Sequence, residues 1–510
     1  MTRGLGKYYT WKEYLGTMIT IALPVAMQNL LSTTASMVDT IMLGNKGELA
    51  VAAVGICSQI SSLYFSSYWG FASGSMLFFA QFAGAKDEKG VNRTFGISLI
   101  FMTLVAALFS LVCIVKPEFF LSVYTDKQSL IRAGAPYIRL VGFAYPFQVY
   151  AVLISNFLRS TERVKAPLIC SVVALVVNFV LNYIFINGKF GMPEMGVAGA
   201  AIGTLVSGIV NVALLLIFLF RSRCDIKLNI KQIFAFDRPF LKSYLAKSLP
   251  ILCNEMMYGV GQMIINIVIG HQSEQAIAAM AAFRVCEGFV YAFFGGLASA
   301  VNVIVGREVG SGNPARGFVF CRKSALFCPM VTFLIVLVCT LLNRPLLGLF
   351  GLSETAMMYG KYMLTIYLVF GSIRTANYIM NEAFRAGGEA IFGTVLEICG
   401  LFLVSVPATW IAGMTIGLPF LIVFSFVYTD EIIRLVAELI YVRTGKWIKP
   451  VTIKGREALP EFMRELRPGK KQSRVAHKDI RKKQQDNIIS EKETINKNDN
   501  SIKTEKQQKI

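Results

Sequence analysis

The sequence predicts an all-α integral membrane protein with about twelve transmembrane helices, in two six-helix bundles related by a parallel pseudo-two-fold repeat. Three observations support this fold class. The chain is 55% hydrophobic and only 16% charged, which is less charge than a soluble protein of 510 residues carries. Several apolar stretches reach the roughly 20 residues that cross a bilayer. Finally, much of the sequence occurs twice.

The repeat appears when the chain is shifted by 226 residues (250 − 24), which places Pro24 on Pro250. No gap is needed up to residue 159. Further pairs at this shift are Gly44 with Gly270, Glu48 with Glu274, Gly70 with Gly296, Gly84 with Gly310, Gly134 with Gly360 and Arg159 with Arg385. One shift over this length indicates a duplicated unit rather than chance.

The apolar stretches set the expected spans and domains. We expect spans near residues 14–43, 49–80, 95–116, 132–157, 164–187, 197–221, 243–270, 276–307, 319–342, 356–385, 390–412 and 417–443. The corresponding domains are a cytoplasmic N-terminus (1–13), an N-terminal bundle (14–221), a cytoplasmic linker (222–242), a C-terminal bundle (243–445) and a basic, largely disordered cytoplasmic tail (446–510).

The distribution of basic residues predicts the orientation. Lys and Arg concentrate in the loops after the second, fourth, sixth and eighth spans, whereas most other loops hold few of them. The positive-inside rule then places both termini in the cytoplasm. We expect the membrane to be the cell (plasma or inner) membrane. Because six is an even number of spans, the second bundle enters the membrane in the same orientation as the first.

Other function classes lack their sequence signatures. The chain has no phosphate-binding G-x-x-x-x-G-K-[ST] loop, no hydrolase elbow and no H-E-x-x-H helix, so we expect no enzymatic activity. It holds two histidines, and its cysteines lie mostly in apolar stretches, as buried hydrophobic residues do. The net charge is +20, and the chain becomes polar and basic from Lys449 onward, where anionic lipid is a simpler partner than nucleic acid. A carrier driven by an ion gradient, without a cofactor, is the simplest interpretation.

Polar residues in the first bundle form a candidate cation site. Asp39 lies near the outer end of the first span, and Asn178 and Asn182 share one face of the fifth. Thr204 lies at a similar depth in the sixth. Such oxygen ligands suit Na⁺, and the carboxylate alone suits a proton. Alternatively, Asp39 faces the water interface and the asparagines bridge helices.

The second bundle offers candidates for coupling or substrate binding. Glu255 is a lone carboxylate in the seventh span, and Arg284 and Glu287 are spaced to form a pair in the eighth. Arg374 lies in the tenth span. Two further substrate candidates come from the first bundle: Gln28, and Tyr68, whose ring either attracts organic cations or packs in the core. The repeat does not duplicate these groups, since Asp39 aligns with Ile265 and Glu255 with Asn29.

Several stretches resemble the multidrug and toxic-compound extrusion (MATE) family. They are ALPVAMQNLLSTTASMVDTIMLGNKGELAVAAVG (22–55), QFAGAKDEKG (81–90), LRSTERVKAP (158–167), NFVLNYIFINGKFGMPEMGVAGAAIGT (178–204), SLPILCNEMM (248–257), VGREVGSGNPARG (305–317) and FRAGGEA (384–390). The resemblance covers roughly residues 10–445.

The resemblance implies export of drugs and organic cations by antiport with Na⁺ or H⁺. It assigns the first-bundle cation site to Asp39, Asn178 and Thr204, and it assigns a coupling role in some members to Glu255. The position of Asn182 is often aspartate in the family. Arg374 stands where some members have aspartate, a departure that argues against a second-bundle cation site and favours more anionic substrates.

We therefore expect a monomeric efflux antiporter that works by alternating access, exporting a small drug or organic cation that enters between the bundles. The alternative is a flippase for a lipid-linked glycan or precursor on a related twin-bundle fold, which the arginines Arg284 and Arg374 would suit. A channel or receptor is disfavoured by the two-bundle symmetry.

Overall fold

The computed structural model describes residues 8–44, 48–221, 226, 228–348 and 350–466, and no β-strand occurs among them. The chain divides into two compact units, Met1–Pro460 and Glu461–Ile510. Of the second unit, only residues 461–466 are described, as part of a helix. Most of the predicted disordered tail therefore lies outside the described residues.

The described residues form eighteen α-helices, numbered in chain order. They are α1 (Trp11–Gly44), α2 (Glu48–Ala85), α3 (Glu88–Val115), α4 (Pro117–Tyr124), α5 (Gln128–Ser160), α6 (Lys165–Asn187), α7 (Val197–Arg221), α8 (Ile230–Ile233), α9 (Arg238–Gly270), α10 (Glu274–Gly310), α11 (Pro314–Leu341), α12 (Asn343–Gly348), α13 (Glu354–Gly387), α14 (Ile391–Gly400), α15 (Val406–Trp410), α16 (Phe420–Phe426), α17 (Thr429–Thr444) and α18 (Ile453–Leu466).

Twelve helical stretches match the predicted spans. Nine stretches within the described part of the chain are long and apolar enough to cross a membrane: 11–35, 88–115, 128–160, 165–187, 197–221, 238–270, 274–310, 314–341 and 391–415. The remaining three are α2, α13, and α16 followed by α17. The predicted all-α, multi-pass fold class is confirmed.

Side chains at the helix ends explain where several helices begin. Ser273 and Ser353 accept hydrogen bonds from backbone N–H groups in the first turns of α10 and α13. Asp87 and Asp237 do the same for α3 and α9. Each supplies an acceptor for an N–H that has no partner within its own helix.

The helix that begins with α14 is irregular near its middle. Leu401–Ser405 and Ile411–Thr415 wind as π-helix on either side of α15. Pro407 lacks the backbone N–H that regular winding would use, which explains the wider turn before it. The bulge brings the Ser405 hydroxyl to within 2.6 Å of the Asp430 carboxylate on α17.

Each half of the repeat has its own hydrophobic core, and the two halves meet symmetrically. A Cβ atom on Gly70 of α2 would lie 2.5 Å from the backbone nitrogen of Leu252 on α9. A Cβ on Gly296 of α10 would lie 2.6 Å from the nitrogen of Ala26 on α1. These pairs differ by the repeat shift (296 − 70 = 226; 252 − 26 = 226). Matching close crossings agree with a parallel pseudo-two-fold.

The bundles are in close contact at the ends of α2 and α10. Gly84 packs on the backbone of Arg307, and its repeat partner Gly310 packs on the backbone of Gln81. Gln81 also donates a hydrogen bond to the carbonyl of Ala386, at 2.7 Å. The predicted orientation places this end of the molecule at the cytoplasm.

Farther from this end, the bundles separate. An opening of about 410 Å³ lies between Gln59 on α2 and the second half of α9, where Gln262 and Asn266 line it. The second half of α9 is therefore less closely covered by α2 than the region around Leu252 is.

Residues 445–460, which follow α17 and which we call the strap, are ordered although the sequence analysis assigned 446 onward to the tail. Trp447 is fully buried, and its ring lies 5.8 Å from that of Phe384 on α13. The Lys449 backbone N–H donates to the carbonyl of Gly387, at 2.7 Å. An apolar ring inserted at a helix end explains the order of a segment whose composition is basic.

The strap also reaches the first bundle. The Val451 backbone N–H donates to Oε1 of Gln81 on α2, at 2.8 Å, and its side chain packs against the first core. The Thr452 hydroxyl donates to the carbonyl of Gly310 at the end of α10, at 2.8 Å. The strap therefore joins both bundles at the end where they are already in contact.

An ion pair fastens the strap to the loop after α13. Lys449 pairs with Glu389, which also accepts from the backbone N–H groups of Ile391 and Phe392. Burial alone would raise the pKa of Glu389, but the hydrogen bond and charge of Lys449, with these N–H groups, lower it below its ordinary value.

Candidate functional site

A cavity of about 660 Å³ opens inside the first bundle, between α1, α2, α5, α6 and α7. Its lining is rich in hydroxyl groups, and Asp39 is the single charged residue among the described residues that line it. Phe65, which is 44% exposed, forms an aromatic wall and stacks on Trp69 at 4.9 Å. The lining serines are Ser32, Ser58, Ser61, Ser62, Ser66, Ser171 and Ser207.

Three of the four predicted cation-site residues line this cavity: Asp39, Asn178 and Thr204. They come from α1, α6 and α7, so no single helix holds the set. A carboxylate, an amide carbonyl and a hydroxyl suit a small hard cation such as Na⁺. Thr204 donates its hydroxyl hydrogen to the carbonyl of Ala200, at 3.1 Å, which leaves the oxygen lone pairs available.

Asn182 has a different position from the one expected of a ligand. Its amide nitrogen donates to Oδ1 of Asp39 at 2.6 Å and to Oδ1 of Asn178 at 3.2 Å. Its oxygen packs against Gly203 on α7. The prediction of two asparagine carbonyls facing one ion does not match this arrangement, because a carboxylate attracts the amide N–H rather than the carbonyl. Asn182 instead fixes the position of Asp39.

Gln28 and Tyr68 lie outside the cavity lining. Gln28 bridges three helices, accepting from Arg159 at 2.5 Å and donating to Ser171 at 2.8 Å. Tyr68 is 4% exposed and packs in the first core, with its ring 5.0 Å from that of Tyr64. Their positions indicate roles in packing and in holding Ser171, rather than direct substrate contact.

Charged side chains fill the interior of the second bundle. Arg374 donates to Glu287 at 2.5 Å and to the Tyr258 hydroxyl at 2.9 Å. Tyr428 donates to the same Glu287 oxygen, at 3.2 Å. The expected pair of Arg284 with Glu287 is longer, at 3.9 Å. Arg374 is thus the principal partner of Glu287, from a helix that sequence spacing does not connect to it.

Glu255 is not a lone carboxylate. Its Oε1 lies 3.8 Å from Arg385, which also donates to Glu382 at 2.9 Å. Asn302 donates to the other oxygen of Glu382, at 2.7 Å. Glu255 lines a small cavity of about 90 Å³ that also touches Phe65 of the first bundle. The sequence identifies Arg385 only as the repeat partner of Arg159 and does not predict its pairing with Glu255.

The sequence analysis missed four buried charged residues on α17. Arg434 lies 3.5 Å from Glu397 and 3.6 Å from both Asp430 and Glu431. Glu438 is fully buried, and neither of its oxygens has a hydrogen-bond partner within the described structure. The signal was present, because residues 430, 431, 434 and 438 fall on one helical face.

The two bundles place their cavities at equivalent positions. The second-bundle cavity has a volume of about 30 Å³. Many of its lining residues are the repeat partners, at a shift of 226, of residues that line the first cavity. Large or charged residues replace small or neutral ones and take up the space. The pairs are Ser32 with Tyr258, Ser58 with Arg284, Ser61 with Glu287, Gln148 with Arg374, Ser171 with Glu397, Thr204 with Asp430 and Gly208 with Arg434.

Comparison with known proteins agrees with this architecture. The chain is 21% identical over 411 residues to the uncharacterized transporter YisQ of Bacillus subtilis (strain 168), covering 81% of this chain and 90% of that protein. It is 23% identical over 469 residues to the probable multidrug resistance protein NorM of Thermotoga maritima, covering 89% and 100%. The crystal structure of MATE in complex with MaL6 matches with a TM-score of 0.78 and 19% identity, covering 87% and 98%.

The family comparison matches both halves of the repeat. The MatE profile matches residues 24–184 and 250–411, which together are more than half of the chain. The resemblance inferred from the sequence is confirmed. The related transporters and the long apolar helices together show that the chain is a multi-pass membrane transporter. The protein belongs to the MatE family.

Proposed function

We propose that the protein exports drugs or organic cations by antiport with Na⁺ or H⁺. The observation on which this proposal depends is the cavity of about 660 Å³ inside a membrane-spanning bundle, in which Asp39 is the single charged residue of the described lining. A carboxylate within the membrane is costly, so its presence there points to a role in binding or transport. Relatives described as probable multidrug resistance proteins, NorM and YoeA, support export of small molecules.

Antiport follows when the ion and the substrate use the same carboxylate in turn. Na⁺ would be held by oxygens of Asp39, Asn178 and Thr204, whereas a proton would bind Asp39 itself. Either ion neutralises Asp39 and removes the attraction for a cationic substrate. The ion therefore favours substrate release, provided that it binds preferentially when the cavity faces outward.

The arrangement of the bundles supports alternating access. They are tied together at the end predicted to be cytoplasmic, by Gln81 and the strap, and they separate around Gln59 and Asn266. Transport would require the tied end to open and the separated end to close.

The alternative function, a lipid-linked glycan flippase, depended on free arginines in a cationic cavity. Arg374 is paired with Glu287, and Arg284 contacts Asn266 at 2.9 Å. Carboxylates outnumber arginines around them, so an anionic lipid headgroup has less reason to bind there. These contacts favour the antiporter.

Efflux from proteoliposomes under separately imposed gradients tests the proposal. Wild-type protein should move ethidium under a Na⁺ gradient or a pH gradient, and Asp39→Asn should lose most of that transport because its side chain cannot alternate in charge. Asp126→Asn, in the exposed loop between α4 and α5, is the matched control and should transport normally. Wild-type rates for Asp39→Asn under both gradients would refute ion coupling at this residue.

A further inference from the structure

Four hydroxyl groups that line the first cavity, on α1, α2 and α7, have a common orientation. Ser58 donates its hydrogen to the carbonyl of Val54 on its own helix, at 2.9 Å. Ser32 donates to the carbonyl of Gln28 at 3.0 Å. A serine has one hydrogen to donate and two lone pairs that accept, so a hydroxyl that satisfies its own helix presents an acceptor to the cavity.

The lining of α7 repeats this arrangement. Ser207 donates to the carbonyl of Thr204, at 3.1 Å, and Thr204 donates to that of Ala200, at 3.1 Å. Near them, the buried Oδ1 atom of Asn211 has no hydrogen-bond partner in the described structure. A buried acceptor without a partner is unfavourable, so a ligand that donates to it gains affinity.

We infer that this cavity selects a monocation that carries several N–H or O–H donors, such as a protonated amino-polyol. The acceptors of Ser32, Ser58, Thr204, Ser207 and Asn211 match its donors, and Asp39 matches its charge. This inference deepens the proposed function and depends on the cavity being the substrate site.

A cation without donors fits the same cavity less well. It would displace water from the serine oxygens and the Asn211 carbonyl without replacing the lost hydrogen bonds. A site that is built to hydrogen-bond its ligand discriminates strongly against an analogue without the matching groups. The equivalent cavity of the second bundle has little room, about 30 Å³, and its acidic groups are engaged by arginines.

Two probes of similar size and equal charge separate these cases: N-methylglucamine, with several hydroxyls and an N–H cation, and tetrapropylammonium, with neither. We would measure both dissociation constants by calorimetry with the full-length protein in nanodiscs, in low-sodium buffer near pH 7.5. N-methylglucamine should bind at least about tenfold more tightly, given the net value of several hydrogen bonds. Equal affinity, or tighter tetrapropylammonium, would overturn the inference.

A double variant identifies the acceptors. Ser58→Ala with Ser207→Ala should weaken N-methylglucamine binding by about threefold to tenfold per hydroxyl, and it should leave tetrapropylammonium nearly unchanged. Retained tetrapropylammonium binding also shows that the variant is folded. Ser67→Ala is the control, because Ser67 donates to its own helix in the same way, at 2.7 Å, but does not line the cavity. An unchanged affinity of the double variant for N-methylglucamine would contradict the assignment.

The outcomes distinguish this inference from the antiport proposal. Binding in nanodiscs needs no gradient, so a preference for N-methylglucamine stands even when Asp39→Asn retains ethidium efflux. Conversely, Asp39-dependent efflux without that preference would leave the antiport proposal in place and refute selection by donors.

Discussion

Arg374 holds together the charged interior of the second bundle. Its guanidinium contacts Glu287 at 2.5 Å and Tyr258 at 2.9 Å, and it lies 3.9 Å from Glu431. Removing one partner of such a pair leaves the other charge in a poorly solvated site. The loss is therefore larger than the strength of the pair itself.

Arg374→Met should lower stability by about 3–5 kcal/mol, because Glu287 then keeps only the longer ion pair with Arg284, at 3.9 Å. Thermal unfolding of the purified protein measures the change. The double variant Arg374→Met with Glu287→Gln should recover much of it. Arg139→Met is the control, since Arg139 and Glu118 form an exposed pair at 4.0 Å that is worth less than about 1 kcal/mol. Equal losses for the two single variants would contradict this view.

For individual residues, the sequence predicted which polar side chains belong to the candidate sites, but not which side chains they contact. Asp39, Asn178 and Thr204 were identified because polar groups in apolar helices stand out. The role of Asn182 depends on a carboxylate from another helix, which its own spacing cannot reveal. Sequence spacing likewise cannot reveal the partner of Glu255, because Arg385 lies 130 residues farther along the chain (385 − 255).

Among the elements, the strap of residues 445–460 has the clearest effect on whether the bundles can separate. It places Trp447 in the second bundle and Val451 against the core of the first. Opening the end predicted to be cytoplasmic would break the hydrogen bond from Val451 to Gln81 and expose the Val451 side chain. The strap therefore favours the closed state of that end.

Val451→Asp should open this end in a larger fraction of molecules, because a carboxylate is unstable against the apolar core. Electron–electron resonance between spin labels at Lys89, at the start of α3, and Asn313, just before α11, should show a new population at longer distance. Ile453→Asp is the control, since Ile453 is 72% exposed. Identical distance distributions for wild type and Val451→Asp would show that the strap does not hold the bundles together.

The membrane helices were predictable as elements because hydrocarbon forces long apolar helices on the chain. The strap was not predictable from the sequence, because its basic composition resembles that of a solvated tail. Its ordered structure depends on the packing of Trp447 against Phe384. The charges of α17 were overlooked because the apolar residues between them, such as Ile432 and Val436, indicated a span. The domain limits inferred from sequence and the orientation stay predictions.

For the whole molecule, the pseudo-two-fold gives the two bundles the same helix arrangement, whereas the residues that line their cavities differ in chemistry. Equivalent positions line both cavities, yet Ser58 and Gln148 in the first become Arg284 and Arg374 in the second. Small neutral residues leave about 660 Å³ open, whereas ion pairs reduce the second cavity to about 30 Å³. The repeat predicted the shared frame, and the cavity volumes required the structure because they depend on how side chains pair.

Gln148→Arg should make the first cavity smaller and more positively charged, because Arg374 occupies the equivalent position in the second. The new guanidinium would take up space and compete with a cationic ligand for Asp39, so ethidium affinity should fall by about tenfold or more. Fluorescence titration in nanodiscs measures this. Gln128→Arg, at the exposed start of α5, is the control. Unchanged affinity for Gln148→Arg would place the substrate elsewhere.

Competition between ion and substrate for Asp39 is the central claim, and an equilibrium titration tests it most directly. The apparent dissociation constant of ethidium would be measured as Na⁺ is raised at constant pH, and as pH is lowered without Na⁺. The wild type should bind ethidium more weakly as one of these ions rises, and Asp39→Asn should lose that dependence. The account would be contradicted if the wild-type affinity for ethidium did not change with either ion, or if Asp39→Asn kept the full ion dependence.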